Sequence, residues 1–137
     1  MIAAKRILMH PISKALCQTY TELYSEGQVS FPLHDAQREA IDAVVKTVNA
    51  NYFGIERFKT PREKAAAYLC FIIKDHPVTD GNKRLAILWF EIFCEIYGLK
   101  PDYSRYSLDE MAVAIEKAKL DMTQLLEVVE AILFPLG

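Results

Sequence analysis

One stretch of this sequence constrains the fold more than any other. Between Leu85 and Tyr97 the chain carries Leu85, Ile87, Leu88, Trp89, Phe90, Ile92, Phe93, Ile96 and Tyr97, with only Glu91 and Glu95 as a narrow polar strip. The pattern, with Gly98 as a stop and Pro101 beyond, predicts a helix from about Asn82 to Tyr97. A helix that is apolar on nearly every side must be enclosed by others, so it belongs at the centre of a bundle. Glu91 and Glu95 interrupt it too closely for a membrane span.

The rest of the chain supplies helices to enclose it. A first helix is expected from about Ile12 to Ser25, stopping at Glu26-Gly27. A second runs from about Asp35 to Asn49, with Ala36, Ala40, Ile41, Val44, Val45 and Val48 on one face. Asn51 to Phe58 breaks the helical pattern with aromatic residues around Gly54 and reads as an extended hairpin or loop, a flap. Thr60-Pro61-Arg62-Glu63 has the composition of a capping box with proline at the first helical position, opening a third helix to about Lys74. Ser107-Leu108-Asp109-Glu110 is a second capping box, opening a helix to about Lys117, and a last helix covers about Asp121 to Phe134. The expected fold is all-α: a compact bundle of about six helices with one short flap, a single domain over residues 1–137.

Composition narrows the function classes. With 52% of 137 residues apolar, the chain can build a core without disulfides or metals. Cys17, Cys70 and Cys94 are odd in number and widely spaced, with no CxxC, and read as buried free thiols in a reducing compartment. A formal net charge of −2 weighs against a general nucleic-acid binder, which carries a basic excess. The start, Met1 to Met9, has too short an apolar run and no small-residue cleavage site for a signal peptide. The expectation is a soluble cytoplasmic protein with no direct nucleic-acid or membrane partner.

Chemistry concentrates in one loop, His76-Pro77-Val78-Thr79-Asp80-Gly81-Asn82-Lys83-Arg84, between two strongly apolar helices. Free backbone N–H groups at a helix start, with the aligned peptide dipoles, make an anion site. Gly81 permits backbone conformations closed to other residues and a close approach to a ligand. Lys83 and Arg84 in the first turn oppose the helix dipole unless an anion compensates them. A phosphate satisfies all three features. Asp80 is suited to magnesium, which takes one or two carboxylates with phosphate oxygens and water. A histidine, here His76, is the side chain most often used to accept a proton from an attacking hydroxyl. Neither a Walker loop nor a dinucleotide glycine fingerprint is present.

These residues resemble the Fic/Doc signature, His-x-Phe-x-(Asp/Glu)-Gly-Asn-(Gly/Lys)-Arg, and the likeness extends from about Asp35 to Tyr97. It implies that His76 is the general base and Asp80 the metal-coordinating acid. It further implies that Gly81 and Asn82 form the anion cradle and Arg84 is the phosphate-binding arginine, with Asp80 to Arg84 together receiving ATP and Mg2+. Val78 stands where the family usually has phenylalanine, a smaller residue that keeps the apolar anchor. Lys83 stands where the AMP-transferring branch has glycine, and Ile87 where it has a second arginine. Lysine there is similar to the Doc branch, which transfers a terminal phosphate, so the resemblance implies a Doc-like protein kinase acting on a serine or threonine hydroxyl. A Fic-like transferase of AMP or another nucleotide, and a non-catalytic relative, are the alternatives. The flap, Tyr52, Phe53, Gly54, Ile55, Glu56, Arg57 and Phe58, would dock an extended target segment by strand pairing. In the Doc branch the target is a translation elongation factor, the protein is a growth-arresting toxin, and an antitoxin restrains it.

Other residues are read blandly. His10 is a helix-entry or surface residue and His34 a capping residue. Trp89, Phe90 and Phe93 are core. Arg57, Lys59, Arg62 and Lys64 form a solvated face, with attraction of nucleotide or an acidic target as the alternative. The family's inhibitory pattern, (Ser/Thr)-x-x-x-Glu-(Gly/Asn), is absent. Glu26-Gly27 follows Glu22 rather than a hydroxyl residue, and Val128 follows the Thr123–Glu127 pair.

Overall fold

A computed structural model describes residues 9–136, so the reading of the start of the chain lies outside the described residues apart from Met9. The elements in order are α1 (Pro11–Ser25), α2 (Asp35–Val48), β1 (Asn51–Tyr52), β2 (Ile55–Glu56), α3 (Pro61–Asp75), α4 (Asn82–Ile96), α5 (Leu108–Lys117) and α6 (Met122–Leu133). The all-α expectation holds, and each helix ends within a residue or two of its predicted bounds.

Local chemistry explains those bounds. His10 caps α1 through its ring Nδ1, which accepts the Ile12 N–H at 3.1 Å. His34 stands at the start of α2, its own N–H donating to Gln37 Oε1 at 3.1 Å. Ser107 and Glu110 close a full capping box (3.1 and 2.9 Å). The Thr60 box closes on one side only. Thr60 Oγ1 accepts the Glu63 N–H at 3.1 Å, whereas the Glu63 carboxylate takes the Thr60 hydroxyl at 3.2 Å instead of the Thr60 N–H.

The centre of the bundle is α3, not α4 as the apolar pattern predicted. Nine consecutive residues of α3, Ala65 to Ile73, are buried, and the helix packs against α2, α4, α5 and α6. Its Ala65-Ala66-Ala67 run puts little bulk between axes and lets neighbours approach closely. Helix α4 buries Leu85, Ala86, Trp89, Phe90, Phe93 and Cys94 against α1, α3 and α5, but Ile96 and Tyr97 are exposed and Ile87, Leu88 and Ile92 half-buried. Glu91 and Glu95 mark the face it keeps in solvent. Trp89, Phe90 and Phe93 are core as expected, and Tyr68 of α3 packs against Trp89 and Phe93 with ring centroids 5.8 and 5.3 Å apart. The loop joining α3 to α4 is thereby held between two buried helices. All three cysteines are buried and free, and burial pushes the Cys70 and Cys94 thiols up to about 12. No helix among the described residues is long and apolar enough to cross a membrane.

The flap is a minimal antiparallel hairpin pairing Asn51 with Glu56 and Tyr52 with Ile55. Its turn residues, Phe53 and Gly54, both have positive φ (55° and 82°), the requirement of a tight two-residue hairpin turn. Tyr52 and Ile55 are exposed, and Phe53 is wholly in solvent. Two of the seven predicted docking residues are committed elsewhere. Phe58 is buried against Phe71 at 6.3 Å, and the Arg57 guanidinium lies over both rings at 4.9 and 5.5 Å. Nor is the basic run an evenly solvated face, because Lys64 pairs with Glu56 at 3.2 Å and donates to Asn49 at 3.1 Å.

Candidate active site

Helix α3 ends at His76, which takes a left-handed conformation (φ 49°, ψ 58°), and the chain then turns through Pro77 and Val78. A non-glycine residue there carries about 1–2 kcal/mol of strain, and the buried Pro77 and Val78 that follow fix the turn. Val78 is buried, so valine does anchor the loop in the core. Asn82 closes the loop from the other side. Its Oδ1 accepts the Val78 N–H at 3.0 Å and its Nδ2 donates to the Val78 carbonyl at 2.8 Å. These two bonds fix which way the amide faces and leave Nδ2 3.3 Å from His76 Nδ1. The structural role of Asn82 is therefore to brace the loop and steady the imidazole.

Helix α4 starts with no side-chain acceptor for its first turn among the described residues. Gly81 (φ 86°) occupies its N-cap and has no side chain to bond the first amides, and the first backbone bond runs from Leu85 N–H to the Gly81 carbonyl at 2.8 Å. The N–H groups of Asn82, Lys83 and Arg84 have no partner within the helix by its geometry. No acidic residue lies in that turn, and two cations do. By contrast, Thr60, Ser107 and Asp121 each place a side-chain oxygen at a helix start.

Three consecutive residues of the α1–α2 connection run alongside this loop, and sequence reasoning missed them all. The Gln28 carbonyl and side-chain Oε1 accept from Arg84 Nη1 at 2.8 and 3.1 Å. A Cβ on Gly81 would collide with Val29 Cγ1. The Ser30 N–H donates to Asp80 Oδ2 at 3.0 Å. The close approach at Gly81 is thus to the chain itself, at Val29, which corrects the expectation of an approach to ligand. Behind the loop, the buried Tyr20 hydroxyl lies 2.8 Å from the Phe31 carbonyl and 3.4 Å from that of Asp80. Burial and the Asp80 charge both push the Tyr20 phenol above its ordinary value. The only sequence signal was Gly27, the stop that turns α1 toward the loop.

On the opposite wall Lys83 Nζ bonds both carboxylate oxygens of Glu116 in α5, at 3.1 and 3.0 Å. The hydrogen bond from Lys83, followed by the charges of Lys83, His76 and Lys117, holds the Glu116 carboxyl below the usual carboxylate range. The resulting cleft, about 440 Å³, is lined by His76, Thr79 to Arg84, Gln28 and Glu116. The predicted catalytic and phosphate-binding residues are therefore together. The flap is not among them: Glu56 meets Lys64 about 18 Å along the α3 axis from His76, while Arg57 and Phe58 pack further along the helix on Phe71.

Among the described residues Asp80 Oδ1 accepts no hydrogen bond, while Oδ2 is held by the Ser30 N–H. Among the described residues no group of three or more metal-ligating side chains exists. A single carboxylate beside an uncapped helix start suits magnesium, which is commonly held through substrate phosphate oxygens and water, and does not suit a metal caged by protein alone.

The model of the Fic/DOC family matches residues 1–94, from the start of the chain through the loop and all but the last two residues of α4. No curated protein and no solved structure matches the chain. With more than two-thirds of its 137 residues matched, this chain belongs to the Fic/DOC family, whose members transfer a nucleotide or a phosphate to protein hydroxyls.

Proposed function

We propose that this protein transfers the terminal phosphate of ATP to a serine or threonine hydroxyl of a target protein. The observation that carries the reading is the uncapped N-terminus of α4, flanked by Lys83 and Arg84 and facing a histidine and a carboxylate in one cleft. Phosphate oxygens would take the free N–H groups of the first turn and the Arg84 guanidinium, exchanging its bonds to Gln28 for charge-assisted ones. Asp80 would hold Mg2+ through Oδ1, and the ion would neutralise charge on the phosphate chain. His76 accepts the target hydroxyl's proton as that oxygen attacks phosphorus and the leaving phosphate oxygen departs. Positioning and charge stabilisation supply most of the rate.

Ile87 supports terminal-phosphate transfer, since it packs half-buried against the core where the AMP-transferring branch offers a second arginine. One observation favours the second reading, nucleotide transfer. Glu116 draws the Lys83 ammonium to the α5 wall, so the lysine crowds the seat less than its position in the motif implies. A target that uses both the exposed flap edge and His76 must span much of α3, about five extended residues. A toxin role, with a translation elongation factor as target and an antitoxin as partner, rests on likeness to the Doc branch and follows only if the terminal phosphate is what moves. The test is incubation in a bacterial lysate with ATP labelled separately on the alpha and gamma phosphates. Gamma label on a protein band supports the kinase reading, and alpha label replaces it with nucleotide transfer.

A further inference from the structure

Lys83 and Arg84 are consecutive on α4, and a helix turns about 100° per residue, so their side chains diverge. Arg84 goes to Gln28 on one wall of the cleft and Lys83 to Glu116 on the other. Nothing else in the first turn would hold Lys83, because the helix dipole there repels a cation and its four-carbon stem is flexible. Glu116 is itself anchored. Lys74, in the last turn of α3, donates to the carbonyls of Glu116 and Ala118 at 3.2 and 2.7 Å, tying the end of α5 to the helix end that bears His76.

We infer that Glu116 is a positioning residue that fixes the Lys83 ammonium on the α5 wall, so that the phosphate chain of the substrate lies between Lys83 and Arg84. The inference rests on the transferase reading above and adds a residue outside the span the family model matches. A bystander role has a different signature. Glu116 is half-exposed and negative beside a phosphate seat, so a carboxylate that merely sat there would repel the substrate, and its removal would only tighten binding.

The test compares the wild type, Glu116→Ala, Lys83→Ala and the double variant, with ATP and Mg2+ as substrate. Positioning predicts a split. Glu116→Ala leaves the ATP KM unchanged or lower, as loss of a negative charge requires, but lowers kcat about fivefold, the upper range for a half-exposed ion pair. In the Lys83→Ala background the same substitution has no effect on kcat. A kcat unaffected by Glu116→Ala, or lowered equally with and without Lys83, overturns the inference. The contact is also read without turnover, by following the Glu116 carboxyl carbon in an NMR titration. It should titrate below the ordinary carboxylate value in the wild type and return upward in Lys83→Ala. Identical titrations in the two proteins overturn the inference whatever the activity. A Glu116 that responds to Lys83 in a protein that transfers no label from ATP would overturn the transferase reading instead, and with it the assignment of the lysine to a phosphate.

Discussion

Replacing Gly81 with alanine tests the packing that shapes the cleft. The backbone there has φ 86°, which costs an alanine about 1–2 kcal/mol relative to glycine. The added methyl also collides with Val29 Cγ1, and Val29 is buried, so the overlap cannot be relieved by swinging into solvent. Overpacking of this kind costs about 1–3 kcal/mol. The stiffer unfolded chain returns about 0.4–1 kcal/mol, leaving a net loss of about 1–4 kcal/mol, centred on about 3. At this chain length that is a fall in Tm of roughly 10 °C. The assay is thermal and urea unfolding of wild type, Gly81→Ala, Val29→Ala and the double variant. Removing the Val29 methyls makes room for the new Cβ but leaves the φ strain, so the double variant should be more stable than the sum of the singles predicts by about 1 kcal/mol or more. A Gly81→Ala protein that melts with the wild type, or effects that simply add, would refute the claim that the α1–α2 connection is seated on the motif loop.

Three further outcomes follow from the same geometry. Asn82→Ala removes both bonds to Val78 and the brace on His76; it should cost about 2 kcal/mol in urea unfolding and reduce transfer, and an unchanged midpoint would contradict the bracing role. Asp42 is half of a tie between α1 and α2. Burial opposes its ionisation, but bonds from Lys46, Ser13 and the His10 N–H outweigh it and lower its pKa from 3.8, so its contribution is present above pH 3.8 and lost as pH falls through the lower folded value. Asp42→Asn should therefore flatten the acid limb of the stability profile, and an unaltered limb would show that the tie does not form. Phe53→Ala removes a fully exposed ring from the flap tip, so stability and ATP KM should not change while KM for the protein target rises; a target KM equal to wild type would remove the flap from docking.

The helices were legible because each announces itself locally, through a cap, an apolar period and a stop. Serine, threonine and aspartate at the starts of α3, α5 and α6 behave as their chemistry dictates. The centre was misread because an apolar circumference and an apolar run compete as signals. Nine unbroken apolar residues from Ala65 to Ile73 outweigh the larger side chains of α4, whose two glutamates needed an open face. In the site, the motif residues are contiguous in sequence and their grouping was predictable. The contacts of Gln28, Val29, Ser30 and Glu116 were not, since they arise when distant segments fold against the loop. Gly81 shows the difference most directly: its need for a positive φ was readable, but the neighbour that requires its missing side chain lies 52 residues earlier. The hairpin likewise was legible along the chain, but its separation from His76 depended on the course of the helix between them.

ATP binding by this loop and proton transfer by His76 are read together by measuring ATP affinity and label transfer in the wild type and His76→Ala. His76 touches neither the first-turn amides nor Arg84, so the variant should bind ATP and Mg2+ within about twofold of wild type and transfer label at least about a hundredfold more slowly. A His76→Ala protein that transfers label at the wild-type rate, or a wild type that binds no ATP, would contradict those roles.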